Sequence, residues 1–374
     1  MQITMKRETL LRALQRVQGV VERRNTMPIL SHVLIDAKGS EITLFATDLE
    51  IGLKGQYEAT VEKPGQLAVA ARKLYEIVRE LPSEEVRLVS ADHKSVRLEG
   101  GKSRFQIMTL PPEDFPSLPV SDGAVELGID GAAMGELIRK TVFAVGENDA
   151  RYVLNGTLLT TVTANGKATL RLVGTDGHRL AMADRPVNAP KGKGAPEVNA
   201  IVPKKALMEI RRLLDEKTEG PLSISLSKSQ CTIHLGGLTL VARLMEGTYP
   251  NYHQVIPKAA ATRMTANKVA LEGALRRVSL LAREKTNAVK WELSAGRLQL
   301  TASNPELGEA QEELPVSYAG DSVTTGFNAR YLLDALSVAD TEEVSMELRD
   351  ALSPCVIREN GVEDFLCVIM PMRI

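Results

Sequence analysis

The sequence predicts an α+β chain made of three tandem copies of one unit. Three observations predict it. One order of elements recurs at a near-constant step, Gly turns separate β-rich runs within each copy, and Pro-rich breaks separate the copies. The chain has 374 residues, 44% of them apolar and 25% charged, which places it among globular proteins. Division by three leaves about 125 residues per copy, an ordinary domain size.

Each copy opens with an amphipathic helix, expected over 6–18, 132–145 and 268–283. Leu10 and Leu14, Met134 and Ile138, and Leu271 and Leu275 share one face through their i, i+4 spacing. A hairpin follows in each. Val33–Asp36 and Ile42–Phe45 flank Lys38-Gly39-Ser40, Leu158–Thr161 and Thr169–Leu172 flank Asn165-Gly166, and Trp291–Leu293 and Leu298–Leu300 flank Ala295-Gly296. The second strand ends in a polar pair, Thr47-Asp48, Thr175-Asp176 and Ser303-Asn304, at an even step of 128 residues. Second helices are expected over 72–80, 203–214 and 328–338, with Leu74, Leu207 and Leu332 in equivalent places, and alternating runs close each copy. Pro111-Pro112 to Pro119 and Pro250 to Pro257 break the pattern, so the expected domains are 1–123, 124–257 and 258–374.

Signatures of catalysis are missing. Gly101-Lys102-Ser103 resembles the end of a phosphate-binding loop, but Val96 stands where that loop needs glycine, and Ser103–Ile107 alternates as a strand. No GxGxxG follows a strand, and neither HExxH nor GxSxG occurs. The histidines His32, His93, His178, His234 and His253 have no partner at helical metal-ligand spacing, so no metal and no cofactor are expected. Thr175-Asp176-Gly177-His178-Arg179 reads as a tight turn between strands; a catalytic His178–Asp176 pair would lack a nucleophile. Cys231, Cys355 and Cys367 lie far apart, against disulfides and structural zinc, which fits a reducing cytoplasm. Met1–Glu8 reaches charge before any apolar run, and nothing approaches a membrane span of about 18 apolar residues, so neither a signal peptide nor a membrane anchor is expected.

Charge is unevenly placed. The net formal charge is −1, yet the six expected helices hold 18 Lys and Arg against 7 Asp and Glu, leaving the rest of the chain at −12. Basic helices gathered on one surface attract phosphates through counterion release, without regard to base sequence. An acidic opposite face repels stray nucleic acid. With aromatics at 4% and no recognition-helix motif, base readout is not expected; the ligand suggested is duplex backbone, loosely held.

These residues carry a family resemblance. Thr26-Met27-Pro28-Ile29-Leu30, Arg104-Phe105, Arg151–Gly156, Thr175–Leu180, Tyr249–Tyr252, Ser303–Glu306 and Val368–Ile374 recur in this order in the β subunit of bacterial DNA polymerase III, and the chain resembles that sliding-clamp family over its whole length. The resemblance implies three copies of the DNA clamp fold and a head-to-tail dimer closed as a ring, helices inside and sheets outside. Ring closure agrees with the repeat, because an open arc would leave unpaired sheet edges.

The resemblance also implies sites. The family's dimer interface maps to Lys73, Lys102, Arg104, Phe105 and Ile107 against Leu280, Leu281, Glu306, Glu309, Glu312 and Glu313, with Leu280-Leu281 equally readable as helix core. Its partner-peptide groove maps to Leu154, Thr175, Gly177, His178, Arg179, Leu180, Pro250, Val255, Asn328, Tyr331, Leu352, Val368, Met370, Pro371, Met372 and Arg373. Met and aliphatic walls suit a pocket that accepts varied short peptides. Duplex contacts map to Arg23, Arg24, Asn148 and Tyr152. Here the chain departs from the family, with Glu147, Asn148 and Val153 replacing a histidine, a glutamine and a second tyrosine, which weakens the expected contact at that loop. The implied function is a processivity clamp without enzymatic activity. The implied partners are a second copy, double-stranded DNA, the replicative polymerase, an ATP-driven loader, repair polymerases, ligase and mismatch-repair proteins. Two rivals stand beside it: an enzyme using His178 and Asp176, and a monomeric scaffold binding DNA through its basic helices alone.

Overall fold

Three passes through one series of elements build the chain. A computed structural model describes residues 1–21, 27–90, 94–117, 125–164, 167–188, 198–216, 221–257 and 262–373. The first pass runs β1 (Gln2–Lys6), α1 (Arg7–Val17), β2 (His32–Lys38), β3 (Glu41–Thr47), β4 (Ile51–Glu58), β5 (Thr60–Lys63), β6 (Gly65–Ala70), α2 (Ala71–Glu80), β7 (Glu85–Val89), β8 (Ser95–Gly100) and β9 (Ser103–Leu110). The second runs β10 (Val125–Ile129), α3 (Gly131–Thr141), β11 (Gly156–Ala164), β12 (Lys167–Thr175), β13 (Arg179–Pro186), β14 (Asn199–Pro203), α4 (Lys204–Asp215), β15 (Leu222–Leu226), β16 (Gln230–Leu235) and β17 (Leu238–Arg243). The third runs β18 (Thr262–Asn267), α5 (Lys268–Ser279), β19 (Ala288–Ser294), β20 (Arg297–Asn304), β21 (Gly308–Pro315), β22 (Val323–Asn328), α6 (Ala329–Ser337), β23 (Glu343–Leu348), β24 (Cys355–Glu359) and β25 (Phe365–Ile369). The expected boundaries after residues 123 and 257 fall in or beside segments outside the described residues.

The leading helix of each pass is shaped by the same four-residue pattern. Leu10, Ala13, Leu14 and Val17, then Met134, Leu137, Ile138 and Thr141, then Leu271, Ala274, Leu275 and Val278 are buried at i, i+3, i+4, i+7. Helix α3 stops at Thr141, short of the expected 145. The Thr141 hydroxyl turns back to the Leu137 carbonyl (2.7 Å), and Val142–Ala144 continue as a 3₁₀ turn. Helix α5 ends at Ser279 rather than 283. Asn267 and Asn328 cap α5 and α6 with their side chains.

The described chain divides into two compact units. The first comprises Met1–Gly131, Asn188–Pro190 and Lys205–Leu244, and the second Ala132–Val187, Lys191–Lys204 and Met245–Ile374. Unit 1 holds a 13-stranded sheet in the order β10-β15-β16-β17-β4-β3-β2-β6-β9-β8-β7-β1-β5. Unit 2 holds an eight-stranded sheet, β14-β11-β12-β13-β25-β24-β23-β18, and a four-stranded sheet, β21-β20-β19-β22.

Strands from different passes meet antiparallel at one seam in each unit. In unit 1, β4 pairs with β17, Leu53 opposite Leu240; in unit 2, β13 pairs with β25, Ala181 opposite Cys367. The third counterparts, β21 and β9, have no such neighbour among the described residues. Strand β21 ends its sheet, and β9 meets β6 only at Thr109 and Leu110, so Ser103–Met108 present an open edge. Cys231, Cys355 and Cys367 are buried free thiols. No described helix is long and apolar enough to cross a membrane.

Candidate functional site

A cavity of about 120 Å³ opens at the seam of unit 2. Its floor follows from strand pairing: Leu180 of β13 lies opposite Val368 of β25, and both join Leu158, Val173, Ile201, Met245, Tyr249, Tyr252, Val356 and Leu366 in one buried apolar cluster. Leu154 closes the floor at 1% exposure, and Met370 stands at the rim with its N–H donating to the His178 carbonyl (2.9 Å).

The turn between β12 and β13 shapes one end. The Thr175 hydroxyl donates to the Arg179 carbonyl (2.6 Å) and accepts from the Gly177 N–H (3.1 Å), while the Asp176 carboxylate accepts from the N–H groups of His178 and Arg179 (both 2.9 Å). Gly177 takes φ +83°, where an L side chain is strained. This settles Thr175–Arg179 as the tight turn that the sequence suggests.

Arg179 is fully engaged. Its guanidinium donates to Asp176 (3.1 Å), to Asp334 (2.6 Å) and to the Phe143 carbonyl (2.6 Å), and lies over the Tyr331 ring at 4.4 Å. His178 is exposed and stacks on the other part of this cluster, its ring 6.5 Å from that of Tyr331. At the rim, Arg151 pairs with Asp149 and donates to the Asp176 carbonyl (2.9 Å). The Arg151 hydrogen bonds hold the Asp149 carboxyl down at about 2.

Pro250, Asn251, Tyr252 and Val255 form the facing wall. Tyr249 anchors it by donating to the Val173 carbonyl (3.0 Å); burial pushes its phenol well above the ordinary value.

The cavity thus gathers Leu154, Thr175, Gly177, Arg179, Leu180, Pro250, Val255, Val368 and Met370 from the residues expected of the groove. Arg151, Asn251 and Tyr252 line it too, although the sequence reading did not count them as groove residues. Their signal was their place inside the motifs Arg151–Gly156 and Tyr249–Tyr252. The other expected residues lie off the cavity lining. Tyr331 supports Arg179, Asn328 caps α6 and Leu352 is 79% exposed. Pro371 and Met372 are half-buried, with the Met372 N–H donating to the Gly326 carbonyl (2.7 Å), and Arg373 is exposed.

The remaining expected residues are placed as follows. Arg23 and Arg24 lie outside the described residues. Asn148 takes φ +56°, and Tyr152 is 62% exposed on the same loop. Val153 packs against the cavity's apolar cluster, and Glu147 pairs with Lys204 (2.7 Å). Phe105 is 40% and Leu280 77% exposed, whereas Ile107 is buried within its own chain and Leu281 is half-buried. Lys102, Glu306 and Glu309 are exposed. Lys73 pairs with Glu76 (2.6 Å), Arg104 approaches Glu99 (3.9 Å), Glu312 pairs with Arg277 (2.9 Å) and Glu313 with Arg297 (3.2 Å).

Three family models match consecutive parts of the chain: the N-terminal domain of the DNA polymerase III beta subunit over residues 1–119, its central domain over 128–251 and its C-terminal domain over 253–373. The chain belongs to the DNA polymerase III beta subunit family. A beta sliding clamp of Pseudomonas putida is 40% identical, with all of both chains covered. The crystal structure of the DNA polymerase III subunit beta of Pseudomonas aeruginosa matches with a TM-score of 0.94 at 38% identity, covering both chains completely. A sliding clamp of Bartonella birtlesii, crystallised with griselimycin, matches equally well, with a TM-score of 0.94, 38% identity and complete coverage of both chains. The three beta-subunit models account for the three passes of elements, and their matched ranges leave short gaps near the Pro-rich breaks.

Proposed function

We propose that the chain is a DNA sliding clamp. Two copies close head to tail into a ring around duplex DNA, helices inside and sheets outside, each copy contributing domains 1–123, 124–257 and 258–374. The ring performs no chemistry. It converts the encounter of a polymerase with DNA into an effectively intramolecular one, raising local concentration without tight DNA affinity.

The observation that carries this reading is the pair of seams and the unmatched third. Leu53 faces Leu240 and Ala181 faces Cys367; carried around the repeat, the same register sets Ala310 of one copy opposite Phe105 of the next. Arg104 then lies between Glu309 and Glu313, with Lys102 beside Glu313. Phe105, Met108, Leu280 and Leu307, all at least 40% exposed in the single chain, fall at this junction. Antiparallel edge pairing with opposite charges is the form such a contact takes. The contact is heterologous and closes by rotation. Lys73 and Glu306 extend the charge complementarity, and Ile107 supports Phe105 from beneath.

The unit 2 cavity, with the neighbouring His178, Asn328, Tyr331, Leu352, Pro371, Met372 and Arg373, is the docking groove for a short peptide segment of the replicative polymerase. The loader, repair polymerases, ligase and mismatch-repair proteins use the same groove. Arg23, Arg24, Asn148 and Tyr152 touch the duplex backbone, and the protein works in the cytoplasm.

Retention on nicked circular DNA, after loading by an ATP-driven clamp loader, tests the ring. The expected result is a complex stable on circles and lost within one linearisation step through the free ends. Equal binding to circular and linear DNA, dissolved by modest salt, would replace the ring with an electrostatic binder.

A further inference from the structure

The groove wall is tied down by few polar contacts. Among the described residues, the hydrogen bonds of Gly247–Val255 to the rest of unit 2 run through two tyrosine hydroxyls, those of Tyr249 and Tyr252. Its backbone bonds are local, Gln254 N–H to the Asn251 carbonyl and Val255 N–H to the Tyr252 carbonyl (both 3.2 Å). The segment thus has no strand partner to fix it, although it supplies one side of the cavity.

Tyr252 is buried in the apolar cluster, and a buried phenol needs a partner for its hydroxyl. The partner is Arg171. On β12 it lies opposite Asp184 of β13, and its Nε and Nη2 both donate to that carboxylate at 2.7 Å. A guanidinium held by two parallel bonds has its remaining nitrogen aimed. Here Nη1 points to the Tyr252 hydroxyl, 3.5 Å away. The Asp184 hydrogen bonds, joined by that of Tyr252, hold the guanidinium above its ordinary value, against the effect of burial.

Unit 1 shows that this device is not a requirement of the strand pair. There the same positions are Thr43 and Gln56, directly opposite one another, so neither the cation nor its carboxylate is present. Among the described residues, the cation, its carboxylate and the phenol occur together at the seam that carries the cavity.

We infer that Arg171 is a positioning residue of the groove: clamped by Asp184, it anchors Tyr252 and holds the Pro250–Val255 wall in its ligand-ready place. This rests on the docking reading of the cavity. Arg171 itself touches no ligand; it lowers the cost of ordering the wall when one enters.

Full-length chain carrying Arg171→Met, Arg171→Lys, Tyr252→Phe or Arg171→Met/Tyr252→Phe tests this, with griselimycin as the probe and Arg263→Met, an exposed residue of β18, as control. The expected result is griselimycin binding weakened about tenfold by Arg171→Met and about threefold by Tyr252→Phe, with no further loss in the double variant. Arg171→Lys falls between wild type and Arg171→Met. In the ligand-free chain, the Gln254 and Val255 amides exchange hydrogen faster in Arg171→Met and Tyr252→Phe, and the control changes neither readout. Unchanged wall exchange in folded Arg171→Met, or losses that add in the double variant, would overturn the inference. Should Arg171→Met fail to fold, Tyr252→Phe decides by the same two readouts. If wild type does not take griselimycin, the docking reading falls, and wall exchange alone decides the role of Arg171.

Discussion

The seam of unit 1 and the seam of unit 2 use the same strand pairing to opposite ends. Gly52 lies opposite Val241 and Lys54 opposite Thr239 in unit 1; Leu180 lies opposite Val368 and Met182 opposite Leu366 in unit 2. One strand further, Thr232 faces Val241 where Val356 faces Val368. One seam therefore shows Gly, Lys and Thr on the face where the other shows Leu, Met and Val. The proposed docking site lies where the backbone register is shared but the pairs are apolar, because such a floor gains free energy by leaving water. Fold and site are separable here, and the site resides in a handful of side chains.

The opposite faces of the two seams differ as well. In unit 1, Arg16 reaches Glu216 (3.0 Å). At the equivalent helical position in unit 2, Lys140 is 1% exposed and meets Glu359 (2.8 Å), Asp340 (3.2 Å) and Glu136 (3.4 Å). Burial pushes the Lys140 ammonium down, and Glu359 and Asp340 more than reverse this, leaving it raised. Removing one partner from such a cluster strands buried charge. Lys140→Met is expected to destabilise the chain by about 3–5 kcal/mol, and Arg16→Met by about 1–2 kcal/mol. The midpoints and slopes of urea unfolding measure the difference, and equal losses would erase it.

The contrast between floors can be broken from the unit 2 side. Leu180→Gly gives the groove the residue that unit 1 carries at this place, and removes an apolar side chain from its floor. Griselimycin binding is expected to weaken about 10- to 100-fold, the worth of one buried Leu side chain. A calorimetric titration measures it, and an unchanged affinity would move the site elsewhere on the chain.

The smallest effect sharpens the comparison through pH. The Arg185 hydrogen bonds hold the Glu136 carboxyl below its ordinary value of 4.5, and that of the exposed Asp340, raised by partial desolvation, is lowered more by Arg139 and Lys140. A carboxyl with a depressed value stabilises the fold above its unfolded value, and this is lost as pH falls from about 4.5 through the folded value. Amide protection, corrected for the slower intrinsic exchange at low pH, is therefore expected to fall first between pH 7 and pH 3.5 in α3 and β25 of unit 2, ahead of α1 and β4 of unit 1. Simultaneous loosening would place the acid-sensitive charges elsewhere.

The six helices were legible in the sequence because each repeats an apolar stripe of 3.6-residue period. The hairpins β2–β3, β11–β12 and β19–β20 were legible from alternation around a turn. Strands β1, β10 and β18 were not, since each is only five or six residues long, too few for alternation to stand out beside the helix that follows. The seams were also hidden, because pairing Leu53 with Leu240 or Ala181 with Cys367 joins residues nearly two hundred positions apart. The cavity combines the β12–β13 turn, the Pro250–Val255 wall and β25, which no local period connects. Its residues are legible through the family resemblance, whereas Arg151, Asn251 and Tyr252 join the lining only when the distant segments fold together.

The path of the chain through its two units has a consequence for how the molecule is made. Lys205–Leu244 belongs to unit 1, yet it lies in sequence between two parts of unit 2. No single cut therefore yields two halves that each own a complete sheet. Strand β4 must wait for residues 238–242 before its edge is covered, and β13 must wait for residues 365–369. Such distant pairings make folding slow and leave edges exposed during synthesis. For the growing chain, the long interval before β25 arrives is when aggregation and chaperone capture compete with folding, and a premature stop in the last strand would forfeit the sheet begun two hundred residues earlier.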